Sequence, residues 1–142
     1  MIIFNKITKI TILTFCFFNQ LGANTNFFAE GIKFYEKKEF KKAKFKFEQS
    51  LVLNPKNENS YLYLSKIYNV QDKKKLEEQN LKSVILLNPK NEEAVYNLTK
   101  LKLKESNYSE SKKLINQLLV FCKNYCQKSK DLKIEIDILQ KK

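Results

Sequence analysis

Apolar residues recur along this chain at helical intervals. Phe40, Ala43, Phe47 and Leu51 follow one another at steps of three and four residues, which places them on one face of a helix. Lys41, Lys42, Lys44 and Lys46 interleave with them and take the solvated side. Tyr61, Leu64, Ile67 and Tyr68 repeat the arrangement further on. Between these runs lies Leu53-Asn54-Pro55-Lys56-Asn57-Glu58, and the same six residues return as Leu87-Asn88-Pro89-Lys90-Asn91-Glu92. Proline lacks an N–H and clashes with the preceding turn, so it stops a helix. The Asn two residues later caps the next helix by accepting an orphan N–H. The two copies lie 34 residues apart and hold the only two prolines of the chain. The same helix stop and start therefore occur twice at a fixed interval, which is the signature of a repeat array.

Aligned on that interval, Phe27, Gly31, Phe34, Ala43, Phe47 and Pro55 fill the pattern aromatic-x3-Gly-x2-aromatic, then Ala-x3-Phe, then Pro. This resembles the tetratricopeptide repeat (TPR), with Glu30 standing where Leu is usual. In the second copy Tyr61, Leu64, Ser65, Tyr68, Leu81 and Pro89 match, while Glu77 replaces the small alanine. That substitution predicts a splayed or rotated helix pair. The third copy is degenerate. Val95, Leu98, Thr99 and Lys102 stand at the aromatic, Leu, Gly and Tyr places, Ser111 and Ile115 stand for Ala-x3-Phe, and Lys123 replaces the proline. The resemblance covers about residues 24–123 and implies an all-α solenoid of about three helix-turn-helix repeats, near 24–57, 58–91 and 92–125. Asp72 is the expected cap of the helix that follows it, and Asn107 with Glu110 resembles a capping box. Leu132 to Ile138 alternate as in a strand. An array must nevertheless cover the apolar face of its last repeat, so residues 126–141 are read as a capping helix with Leu132, Ile136 and Leu139 inward.

The first 23 residues read as an address. Lys6 and Lys9 precede the apolar run Ile10–Phe18, and Gly22-Ala23 supplies small residues for cleavage. Three outcomes stay open: a cleaved signal peptide, an uncleaved membrane anchor, and a lipoprotein attached at Cys16. Each places the rest of the chain outside the cytoplasm, as a periplasmic or envelope-associated protein.

Composition narrows the function classes. The chain of 142 residues has no His, so the commonest general base and metal ligand is missing. There is no glycine-rich phosphate loop, and the carboxylates are embedded among lysines. We expect a non-enzyme without metal or cofactor. Net charge is +12, carried entirely by lysine. The absence of Arg weakens any specific reading of nucleic acid. Beyond the leader, Cys122 and Cys126 fall where the third inter-repeat turn has lost its proline. Within a helix a four-residue spacing holds the Cβ atoms too far apart for a disulfide, but across a turn the chain brings them closer. A disulfide there would staple the turn in an oxidising compartment; the alternative is two buried thiols.

The resemblance implies that a partner lies in the concave groove lined by the first helix of each repeat. Three columns emerge at the 34-residue step: Phe28–Leu62–Tyr96, Ile32–Lys66–Lys100 and Tyr35–Asn69–Leu103. Such a strip suits a peptide or protein segment with apolar anchors and acidic character. Relatives that grip the acidic tails of heat-shock chaperones use Lys and Asn at defined groove places. Phe28 and Ile32 occupy such places here, which excludes that clamp. The resulting expectation is an exported interaction module. The competing class is a lysine-rich binder of an anionic membrane surface or polymer.

Overall fold

The computed structural model describes residues 26–141, so the leader and its cleavage, anchor and lipidation readings lie outside the described residues. The described residues form seven helices: α1 (Phe27–Glu36), α2 (Phe40–Leu53), α3 (Glu58–Val70), α4 (Lys74–Leu87), α5 (Glu92–Lys104), α6 (Tyr108–Phe121) and α7 (Cys126–Leu139). Helices consecutive in the chain pack against one another, and α7 also touches α5. The architecture is an all-α solenoid closed by a terminal helix.

Local chemistry explains the boundaries. Asn57 and Asn91, two residues after each proline, cap α3 and α5 by accepting from the N–H groups of Ser60 at 3.2 Å and Ala94 at 3.0 Å. Asn26 and Asn107 cap α1 and α6 in the same way. Asp72 does not cap α4. It lies in the left-handed region at φ 51°, and the capping position falls to Lys73, which makes no side-chain bond. Lys38 at φ 59° and Ser106 at φ 57° hold the equivalent place in the other two repeats, again 34 residues apart. The tight turn within each repeat needs this conformation whatever residue the sequence supplies.

Two apolar clusters form the core. The first joins α1, α2 and α3 and is aromatic. Phe28, Phe47, Tyr63, Tyr35 and Phe40 contact one another in edge-on, tilted and stacked pairs with ring centroids 5.0–6.0 Å apart. Gly31 makes this possible, because a Cβ there would stand 2.5 Å from the Phe47 ring. The second cluster runs from α3 to α7 and is aliphatic, built from residues such as Leu81, Leu98, Ile115, Leu118, Leu132 and Ile136. At the places equivalent to Gly31 it carries Ser65 and Thr99, which turn their hydroxyls back to the backbone carbonyls of Leu62 and Val95.

In α7 the period-two alternation loses to the period of the helix. Leu132 and Ile136 are buried while Ile134 and Ile138 are exposed, because only a stripe of α7 can face α5 and α6. Glu77 does not splay its repeat. Among the described helix pairs α3 and α4 share the most extensive contact, and Asn69 of α3 donates to the Glu77 carboxylate at 2.9 Å.

Candidate groove and its surroundings

Members of the second and third columns meet in a cleft of about 280 Å³ between α3 and α5, with Tyr35 of α1 in its lining. Lys66 and Asn69 line it from α3, and Asn97, Lys100 and Lys104 from α5. Glu77 lies in the lining with only 4% of its surface exposed. Burial pushes its carboxyl above the usual glutamate range, and the bond from Asn69 only partly opposes this. Lys66 is held by Glu93 at 2.8 Å and lies over the Tyr63 ring. Among the described residues no ion pair engages Lys100 or Lys104. The cleft therefore offers two cations outside any ion pair beside amide groups, Lys100 lying 5.8 Å from the centre of the Tyr96 ring.

A second hollow, also about 280 Å³, opens between α5 and α7. Leu103, Leu132 and Leu139 give it apolar walls, Glu135 adds a carboxylate, and Lys100 and Lys104 line both hollows. The capping helix thus contributes apolar surface to the concave side as well as covering the last repeat.

The first column behaves differently from the other two. Leu62 is buried in the aliphatic core. Phe28 packs on the aromatic cluster, as Ile32 of the second column also does, and Tyr96 tilts against Tyr125 at 5.3 Å, ahead of α7. The structure therefore brings together Tyr35, Lys66, Asn69 and Lys100 in one hollow and places Leu103 with Lys100 in the next. It commits Phe28, Ile32 and Leu62 to packing. Asn97 and Lys104 escaped the sequence reading, although the columns Ala29–Tyr63–Asn97 and Glu36–Val70–Lys104 step at the same 34-residue interval.

The third inter-repeat turn is built without proline. Cys122 and Cys126 are joined by a disulfide, with Cα atoms 5.2 Å apart. Glu92, the first residue of α5, accepts three backbone N–H groups of this turn, from Lys123, Asn124 and Tyr125, at 2.8–2.9 Å. Partial desolvation works against its charge, but the three donors outweigh it and hold the carboxyl below the usual range. One repeat earlier Glu58 accepts from Asn88 at 3.0 Å, so the same first-turn carboxylate reaches the turn after its own repeat in both places. Lys102, at the tyrosine place of the third repeat, bonds Glu78 of α4 and Glu105, each at 2.8 Å.

No family model and no curated protein sequence matches the chain. Solved structures do. The first TPR domain of Spaghetti (RPAP3), bound to the HSP90 peptide SRMEEVD, superposes with a TM-score of 0.74 at 15% identity, over 82% of this chain and 91% of that one. The Arabidopsis OM64 TPR domain gives 0.71 at 18% identity, over 79% and 92%. The Yersinia enterocolitica type III secretion chaperone SycD, in complex with a peptide of the translocator YopD, gives 0.76 at 11% identity, over 87% and 99%. Together with the 34-residue period, the repeated Asn caps and the shared left-handed turns, these superpositions establish that the chain has the fold of a tetratricopeptide-repeat domain.

Proposed function

We propose that this chain is an exported, non-catalytic interaction module that holds an acidic segment of a partner protein on its concave side. The observation that carries the reading is the pair of lysines in no ion pair, Lys100 and Lys104, on the rim shared by the two hollows. A carboxylate placed there meets two cations and the amide of Asn97. An adjacent large apolar side chain then reaches Leu103, Leu132 and Leu139, so the favoured ligand couples an acidic residue to an aliphatic or aromatic neighbour. Two of the similar structures hold peptides, the Spaghetti domain and SycD, which supports a peptide or protein partner here. Phe28 and Ile32 are committed to packing, which argues against a grip centred on the first repeat. The leader-like N-terminus and the Cys122–Cys126 disulfide favour an oxidising, extracytoplasmic setting.

The test is fluorescence polarisation with labelled peptides that pair Asp or Glu with Leu or Phe, against scrambled-charge controls. Lys100→Glu with Lys104→Glu is expected to weaken binding at least about tenfold, through lost attraction and added repulsion. Leu139→Asp is expected to weaken only peptides that carry the apolar neighbour. Binding that is indifferent to all three changes contradicts the proposal.

A further inference from the structure

The second helix of each repeat ends in an exposed apolar residue at the same place. Val52, Leu86 and Val120 follow one another at the 34-residue step and are 81%, 83% and 87% exposed. Leu53 and Leu87, next to the first two, are exposed as well. In a solenoid of helix pairs, α2, α4 and α6 end on one edge of the array, so these side chains form a row along that edge, away from the concave hollows. An isolated exposed aliphatic residue needs no explanation, but three at one structural position with two more beside them do.

Each apolar step is followed by a lysine in the adjoining turn: Lys56, Lys90 and Lys123, all exposed and in no ion pair among the described residues. The nearby carboxylates are engaged. Glu48 pairs with Lys44 at 3.3 Å, Glu58 accepts from Asn88, and Glu92 accepts the three N–H groups of the third turn. The edge therefore presents a line of aliphatic side chains beside three exposed lysines in no ion pair, Lys123 standing in the field of the Glu92 carboxylate.

We propose that this edge is a membrane-contact surface that lies on an anionic lipid bilayer. The aliphatic row enters the boundary between headgroups and acyl chains, while Lys56, Lys90 and Lys123 meet lipid phosphates. Charge decides against a second copy of this chain as the occupant, because two such edges would bring their lysine rows together. A regular line of one apolar group and one cation per repeat fits a laterally uniform surface and needs no residue-by-residue match. The concave hollows stay open to a partner while the edge is on the bilayer, so this inference stands apart from the proposed peptide binding.

The chain contains no Trp, so Leu86→Trp installs a single reporter in the full-length protein. With vesicles of phosphatidylglycerol and phosphatidylcholine, its emission is expected to shift to the blue and to be quenched by bromine on the acyl chains. A reporter at Ile134→Trp, exposed on α7 and outside the row, is expected to keep its solvent-exposed emission. Adding Lys56→Glu, Lys90→Glu and Lys123→Glu to Leu86→Trp is expected to lower the quenched fraction about tenfold. Because quenching reports the depth of the labelled position, an N-terminal segment that tethers the chain cannot by itself produce the difference between the two reporters. Equal quenching at positions 86 and 134, or none at 86 with anionic vesicles, overturns the proposal. A blue shift that grows with protein concentration in the absence of lipid overturns it in favour of self-association.

Discussion

The two ends of the array use one register for different purposes. In the first repeat the groove positions are Phe28, Ile32 and Tyr35, and all three pack on the aromatic cluster around Phe47. In the third repeat they are Tyr96, Lys100 and Leu103; Tyr96 still packs, against Tyr125, but Lys100 and Leu103 border two hollows. The 34-residue interval fixes where a side chain stands. Its size and charge decide whether the place is filled or left open. A large aromatic beside a glycine draws the first pair of helices together, whereas lysines that extend towards solvent line the hollows beside α5. The inter-repeat turns differ in the same spirit. The first two are fixed by proline and a capping Asn, the third by a disulfide and the Glu92 carboxylate.

The comparison breaks most visibly at Phe47. Phe47→Ala is expected to cost about 3–5 kcal/mol. Because the aromatic and aliphatic clusters are separate, amide exchange should accelerate in α1 and α2 first while α5, α6 and α7 keep their protection. A uniform loss along the chain would show that the two clusters form one cooperative unit. Reduction of Cys122–Cys126, or the double change to Ser, is expected to cost about 2 kcal/mol for so short a loop. Exchange should then rise around the third turn and α7, with the proline turns unchanged.

Two glutamates sharpen the contrast through pH. Burial raises the Glu77 carboxyl, so its contribution to stability is present at low pH and is lost as pH rises from the ordinary glutamate range through the raised value. Glu77→Gln is expected to gain about 1 kcal/mol at neutral pH and little in acid. Glu92 has the opposite sign. Its carboxyl is depressed, so its contribution is present above the ordinary range and is lost as pH falls through the depressed value. Glu92→Gln should remove part of the acid sensitivity of α7. Denaturation series at pH 7 and pH 4 on both variants check the two directions. The smallest effect is expected at Lys38, whose φ of 59° burdens a residue with a Cβ. Lys38→Gly should gain about 0.5 kcal/mol in spite of glycine's larger unfolded-state entropy, read as a small rise in the denaturation midpoint.

Helix number and the starts of α3, α5 and α6 were legible in the sequence because capping Asn residues and apolar periodicity are local signals that survive drift in the motif. Asp72 misled because Asp suits both a helix cap and a left-handed turn, and the turn won once the positions of Lys38 and Ser106 were fixed by the same interval. Glu77 misled because its size suggested steric conflict, while Asn69, one turn-back away in space but eight residues away in sequence, supplies it with a donor. The groove was half legible. Periodicity gave the facing columns, but the depth of each member depends on what α2 and α7 place opposite it, which a single column does not encode. The apolar hollow stayed hidden because two of its walls, Leu132 and Leu139, come from α7, outside the repeat register.

The most direct test of the account follows backbone and side-chain NMR signals of the full chain as an acidic peptide with one large apolar residue is added. The account predicts saturable shifts at Asn97, Lys100, Leu103, Lys104 and Leu139, with Phe28 and Ile32 unmoved. Saturable shifts centred on Phe28 and Ile32, with none at Lys100 and Lys104, would contradict it.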